Sequence, residues 1–163
     1  MLYPAQLYKE ELNKKLISCW YLPKYKHYFG GEYSVRQLEN DAYWHRDLVH
    51  LNSKGEIDGY IGYNYNDINR SINGVTLIGF ADNNTVFIKD VINHVQEMFD
   101  SGARRIEFYA FANNPAVRLY DKFVDRYGGR KVGTLTESAW YDGKFHDCYI
   151  YEIMNTKERG IKK

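Results

Sequence analysis

The sequence predicts an α/β (α+β) domain: a mixed, mostly antiparallel sheet of six to seven strands flanked by helices, with 74–80 and 105–111 as parallel neighbours. Three observations predict it. Arg105-Ile106-Glu107-Phe108-Tyr109-Ala110-Phe111 carries apolar or aromatic groups on both faces, as a central strand covered on two sides does. From Gly74 to Tyr127 the chain reads strand, capped helix, strand, capped helix, and right-handed crossover makes the two strands parallel. Two further strand-like runs flank an Asp142-Gly143 pair, the mark of a hairpin.

Residues near 4–19 begin with Pro4 and place Leu7, Leu12, Leu16, Ile17 and Cys19 at roughly helical intervals until Pro23, which predicts one helix. Val35 to Glu39 admits a second, short helix. Arg46 to Leu51 reads as a strand, Asn52 to Glu56 as a turn, and Ile57 to Tyr65 as the partner strand of a hairpin. An Asn- and Asp-rich turn, Asn66 to Asn73, leads into the apolar run Gly74 to Phe80. Asp82-Asn83-Asn84-Thr85 offers several caps for a helix whose inner face is Phe87, Ile88, Val91, Ile92, Val95, Met98 and Phe99, ending at Ser101-Gly102. After the 105–111 strand, Asn114 can cap a helix and Pro115 suits its first position. Ala116, Leu119, Tyr120, Phe123, Val124 and Tyr127 give that helix about four turns, and Gly128-Gly129 supplies a left-handed stop. Lys131 to Trp140 and Phe145 to Ile153 form the last hairpin, and the charged tail Asn155 to Lys163 is expected to fray.

At 163 residues the length fits one domain, able to bury about two-thirds of its unfolded surface. Lys and Arg total 22 against 21 for Asp and Glu, a net charge of +1, so no global field draws the chain to nucleic acid or membrane. No run approaches the roughly 18 apolar residues that span a bilayer, and the N-terminal stretch lacks a leader pattern, so a soluble cytoplasmic protein is expected. Cys19 and Cys148 form neither a close pair nor a metal-ligand cluster and are read as reduced and structural, with no metal expected. Sixteen tyrosines, in a chain that is 17% aromatic, suit both cores and polar ligand clefts.

The spacing Asn113-x-x-Ala116-x-x-Leu119-Tyr120-x-Lys122, with the Tyr-Asp-Gly-Lys-Phe turn of the final hairpin, resembles the GNAT superfamily of coenzyme A-dependent N-acyltransferases. The resemblance covers the C-terminal two-thirds. It implies a splayed parallel pair at the centre of the sheet and acetyl-coenzyme A as co-substrate. It divides the chain into a helical substrate-side region over 1–45, strands and a cofactor helix over 46–112, and a helix plus hairpin over 113–154. The pantetheine arm is expected along Leu77, Ile78, Gly79 and Phe80, and the thioester end beside Asn113, Ala116 and Tyr120. The pyrophosphate is expected at the loop Asn83, Asn84, Thr85, Val86, Phe87 and Ile88. There the family carries Gln or Arg, then Gly, then Gly or Ala, so that backbone N–H groups close on the phosphates. Here Asn83, Val86 and Ile88 stand in those places, which puts two β-branched residues where close approach is needed and predicts weak coenzyme A binding.

A tyrosine with its ordinary pKa near 10 is protonated at neutral pH, so Tyr120 can hand a proton to a departing thiolate; without the motif it reads as a core tyrosine. The attacking amine must lose a proton, and the carboxylate candidates are Glu107, inside the 105–111 strand, and Asp82 at the end of the preceding strand. Glu107 reads also, and somewhat more readily, as a partner of Arg104 or Arg105. His45 and His50 are further candidates, whereas His146 and Asp147 alternate faces and form no dyad. The sequence supports an N-acyltransferase acting on a primary amine of a small molecule or protein, as monomer or homodimer. It also supports a binding or structural protein of the same fold that has lost tight coenzyme A binding; a nucleic-acid-bound acceptor fits the charge poorly. Trp44, Tyr60, Tyr63 and Tyr65 are candidates to line the acceptor pocket, or ordinary sheet packing.

Overall fold

Seven strands hydrogen-bond into one sheet in the order β1-β2-β3-β4-β5-β7-β6: β1 (Leu2–Pro4), β2 (His45–Leu51), β3 (Ile57–Asn66), β4 (Ser71–Gly79), β5 (Arg105–Phe111), β6 (Arg130–Tyr141) and β7 (Lys144–Met154). The computed structural model describes residues 1–20, 22–26 and 44–155. Among the described residues only the β4–β5 pair is parallel, as the crossover through the helix between them requires. Val35 to Glu39, where a second short helix was admissible, and the tail after Asn155 lie outside the described residues. No helix among those described is long and apolar enough to cross a membrane.

The helices divide between the two faces. α1 (Lys9–Cys19) presents Leu12, Leu16 and Cys19 at helical spacing to Val49, Tyr60 and Ile78 on one face. α2 (Thr85–Asp100) and α3 (Val117–Arg126) cover the other, where Phe87, Val91, Val95 and Val124 gather with Ile61, Ile72, Ile106 and Tyr151. The central β5 is apolar toward both helices through Ile106, Phe108 and Ala110, and turns Glu107 and Tyr109 the other way.

A bulge at the middle of β4 decides where the sheet opens. Ile72 lies in the α2–α3 cluster, while Ile78, at the same parity, lies in the α1 cluster, with Val75 and Leu77 now packing toward α2. The register shifts between Ile72 and Val75 on one side and between Gly62 and Asn64 on the other, and Gly74 takes φ +60° to absorb the extra residue. Parallel pairing with β5 ends one step later, at Val75↔Phe108, although β4 continues to Gly79 and β5 to Phe111.

Three elements differ from the sequence reading. The N-terminal segment is not one helix over 4–19: Leu2 to Pro4 pair with His50 to Leu48 as an edge strand, Ala5–Tyr8 is a 3-10 turn with Ala5 buried, and α1 starts at Lys9. The backbone of β2 would otherwise present an open edge, and the short strand covers it. β4 begins at Ser71, not Gly74, because the Asn66 carboxamide accepts the N–H groups of Ile68 and Asn69 and compresses the turn. α3 has ten residues, just under three turns, and starts at Val117. Asn114 does not cap the first turn as expected; its Oδ1 takes the Ala116 N–H (2.8 Å) and its carbonyl the Val117 N–H, a tight turn that delays the helix. Gly128, at φ +70°, supplies the expected left-handed stop. Asn155 is held rather than frayed, its Nδ2 donating to the carbonyls of Phe99 and Ala103 at 3.0 and 3.1 Å.

Replacing Gly74 by Ala should destabilise the protein by about 1–2 kcal/mol for the left-handed backbone, and a Cβ there would also stand 2.8 Å from Asn64 Nδ2. Urea unfolding of Gly74→Ala against the parent measures it.

Candidate active site

Where β4 and β5 part, the backbone ladder gives way to a partly open cavity of about 290 Å³ between the sheet, α2 and α3. Leu77 of β4, Ile88 and Ile92 of α2, and Phe108, Leu119 and Tyr120 from β5 and α3 line it. Its wall is mostly apolar, suited to an extended arm rather than to a bare ion. Tyr120 stands half-buried on that wall, its ring edge-on to Phe108 (5.5 Å between centroids) and to Tyr151 (6.3 Å). Burial, with Asp121 accepting its hydroxyl at 2.9 Å, drives the Tyr151 phenol well above the usual tyrosine range.

The N-terminus of α2 borders the cavity through Ile88. Asn84 caps it: its Oδ1 accepts the Phe87 N–H at 3.0 Å and its Nδ2 donates to Asp58 Oδ2 at 2.7 Å. Asp58 Oδ1 in turn lies 2.5 Å from Nδ1 of the buried His50, whose Nε2 is 3.3 Å from Asp90 Oδ2. The Met1 amino group bonded to Asp90, with His50 beside it, holds that carboxyl below the usual carboxylate range. The cap is therefore fastened to β2 and β3 by a chain of charge-assisted bonds. Within the first turn, Thr85 N–H is taken by the Asn83 carbonyl and Phe87 N–H by the cap, and Val86 N–H takes no partner among the described residues. The Val86 side chain stands 61% exposed at that spot.

The turn Pro23–Tyr25 spans the C-terminal ends of the central strands: Tyr25 Oη donates to the Phe80 carbonyl (3.3 Å), Lys24 pairs with Asp82 (3.4 Å), and Lys26 pairs with Asp142 at the hairpin tip.

The structure distributes the residues singled out in the sequence as follows. Leu77, Ile88 and Tyr120 meet in the cavity. Ile78 is buried on the α1 face, and Gly79 closes β4 with Phe80 beside it, packed toward α1. Phe87 is core, resting where a side chain on Gly59 would stand. Asn83, at φ +53°, and Thr85 are exposed at the helix start. Ala116 gives its carbonyl to the N–H groups of Leu119 and Tyr120. Asn113 is exposed and accepts the Tyr141 hydroxyl at 2.6 Å, which fixes the end of β6 to the start of α3; burial pushes the Tyr141 phenol up. Glu107 lies on the opposite sheet face, 27% exposed, and pairs with Arg105 at 2.6 Å, the alternative partner that the sequence allowed. Tyr63 and Tyr65 pack toward α2, Tyr60 is buried toward α1, and Trp44 is exposed.

Sequence reading missed three things. Asn114, taken only as a cap, is buried and lines the cavity. The His50–Asp58–Asn84 chain left no signal, because its members are 8 and 26 residues apart. His45, Asp47 and Tyr60 cluster on the α1 face, for which the alternation in β2 is the only hint.

No protein-family model matches the sequence, and no curated protein matches it. Solved structures do match the fold. An N-acetyltransferase from Staphylococcus aureus Mu50 superposes with a TM-score of 0.69 at 15% identity over 95% of this chain and 98% of that one. The spermidine/spermine N-acetyltransferase SpeG from Vibrio cholerae gives 0.58 at 19% identity, over 70% of this chain and 67% of that one.

Removing the α2 cap by Asn84→Ala should cost about 1–2 kcal/mol of stability, at the upper end because Asp58 also loses a donor; chemical denaturation with unchanged slope would register it. With its strand order, and with the one parallel pair and three helices found among the described residues, the chain has the fold of the GNAT N-acetyltransferases.

Proposed function

We propose that the protein is an N-acyltransferase that moves an acetyl group from acetyl-coenzyme A to a primary amine of a small molecule or protein by direct attack. The observation that carries this reading is the cavity at the β4–β5 splay, with Tyr120 on its wall and the first turn of α2 at its border. The residues fit coenzyme A. The β4 backbone over Leu77 to Gly79 pairs with β3 on one side and has left β5 on the other, an edge that can accept and donate along a pantetheine arm, and the open Val86 N–H and the α2 dipole favour a pyrophosphate. The branched Val86 side chain fits it less well and favours weak binding. When bound, the co-substrate supplies an activated acyl group.

The chain's own residues do the rest. The apolar wall excludes water from the reacting end, and the Tyr120 phenol stands as proton donor to the leaving sulfur. Asn113 keeps the α3 start and the hairpin end together through Tyr141. A second reading, a binding protein of this fold, rests on the exposed Val86 at the helix start and predicts no transfer with any amine.

Calorimetric titration with acetyl-coenzyme A tests binding directly, and absence of heat over the millimolar range would favour the second reading. Tyr120→Phe should keep fold and coenzyme A affinity while slowing acetyl transfer by roughly 10²–10⁴-fold; loss of stability with full rate would return Tyr120 to the core. Val86→Gly should tighten coenzyme A binding at a stability cost of about 1 kcal/mol. Ile88, which lines the cavity and packs on the core, is unsuited to the same exchange.

A further inference from the structure

The sheet face opposite the cavity carries a line of polar side chains that ends at the splay. His45, Asp47 and Val49 alternate onto one face of β2, and Val49 belongs to the α1 cluster, so His45 and Asp47 share that face. Asp47 is 3% exposed, a carboxylate removed from water, and each of its oxygens has a partner: Oδ1 accepts the Tyr60 hydroxyl and Oδ2 lies 2.9 Å from His45 Nε2. His45 Nδ1 points the other way and lies 2.5 Å from Asn64 Oδ1. Asn64 in turn lies over Gly74: its Nδ2 is 2.8 Å from where a Cβ on that residue would stand. Gly74 is the bulge residue, one position before the last β4–β5 pair. Pairing places Asp47 in the row of Gly62 and Thr76, just past the last β4–β5 pair, and His45 in the row of Asn64 and Asn73, just before it.

We infer that His45, oriented by Asp47, is the group that takes the proton from the acceptor amine, reaching the splay past Asn64, and that the acceptor arrives as a cation. The inference rests on the acetyl-transfer reading above. The geometry fits a proton acceptor more closely than Glu107 does. Glu107, on the same face, is held by Arg105 at 2.6 Å, so its charge is already answered. His45 is 32% exposed, open enough to be reached, while the carboxylate behind it is closed to solvent. A ring flanked by two oxygen acceptors is the arrangement that stabilises an imidazolium, the product of proton capture. In the neutral ring, Nε2–H stays on Asp47 and Nδ1 is the base, the acceptor amine taking the place beside it that Asn64 holds in its absence.

The protons balance. An acceptor R–NH3⁺ gives one proton to His45 Nδ1 and becomes R–NH2; its lone pair forms the new C–N bond as the C–S bond breaks. The second proton lost by the nitrogen replaces the one that Tyr120 gives to sulfur, so one proton in all leaves through His45 to solvent. The charged and titratable groups facing His45 among the described residues are Asp47 on its own strand, Tyr60 from β3, and the Arg46 guanidinium, which donates to the His45 carbonyl.

The test is thiol release from acetyl-coenzyme A with ethanolamine, benzylamine and a lysine-bearing peptide as acceptors, followed from pH 5 to 10. In the parent, kcat/KM should rise with pH and fall again where the acceptor ceases to be a cation. His45→Gln should lose the rising limb and fall roughly 10²–10⁴-fold at neutral pH. Asp47→Asn should also slow transfer, because the imidazolium formed on proton capture loses its counter-charge. An activity-free measurement accompanies it: calorimetry should find coenzyme A affinity unchanged in both variants. If His45→Gln folds and keeps the parent rate and profile, the inference is overturned while the acetyl-transfer reading stands. If the parent transfers to no acceptor, both fall.

Discussion

The parting of β4 and β5 is the constraint on which the rest depends. A parallel ladder that stops at Val75↔Phe108 while both strands run on leaves the facing edges of β4 and β5 no longer bonded to each other. A left-handed glycine at position 74 makes the bulge that turns β4 away, and α2 and α3 line the opening with an apolar wall. An opening of that kind is stable as a place for something with its own hydrogen-bonding groups to lie.

The position of α2 follows from the same opening. The helix comes so close to β3 that a side chain on Gly59 would meet the Phe87 ring at 2.5 Å. Its cap is fastened at the same height by Asn84 to Asp58 and by Asp58 to His50. Carboxylates beneath a helix N-terminus would oppose a phosphate above it if their charge were free. Here Asp58 accepts from the Asn84 amide and lies against the His50 imidazole, and Asp90 is paired with the Met1 amino group, so neither carboxylate stands without a partner beneath the helix.

Much of this was legible in the sequence, and the limits are physical. The central strands, both cavity helices and the last hairpin follow from periodicity and turn chemistry, which are local. The N-terminal strand was missed because three residues, Leu2 to Pro4, carry no period, and their pairing with β2 is decided some 45 residues away. Asn114 was read as a cap because Asn before Pro has that local chemistry; its burial against the cavity depends on the turn folding inward. The motif pointed to Asn113 and Tyr120 together, yet the fold sends them to different neighbours: Tyr120 to the cavity and Asn113 to the Tyr141 hydroxyl. Clusters such as His45–Asp47–Tyr60 exist only through strand register, which a single sequence does not state.

Under the proposed reading the sheet separates two kinds of chemistry that an acyl transfer needs in different surroundings. On the α2–α3 side the wall is apolar, with Phe108, Leu119 and Ile92 beside Tyr120, and would shield a thioester from water. On the α1 side stand the polar and charged groups Asp47, His45, Glu107 and Arg105. A proton acceptor in the apolar chamber would be hard to ionise, and a proton donor in the charged one would lose its proton too early. Under the proposed reading the two must meet at a single point, and a sheet offers such a point only where its strands separate. The bulge at Gly74, by bringing Asn64 over the start of the splay, places that point at the end of the polar line and at the edge of the apolar cavity.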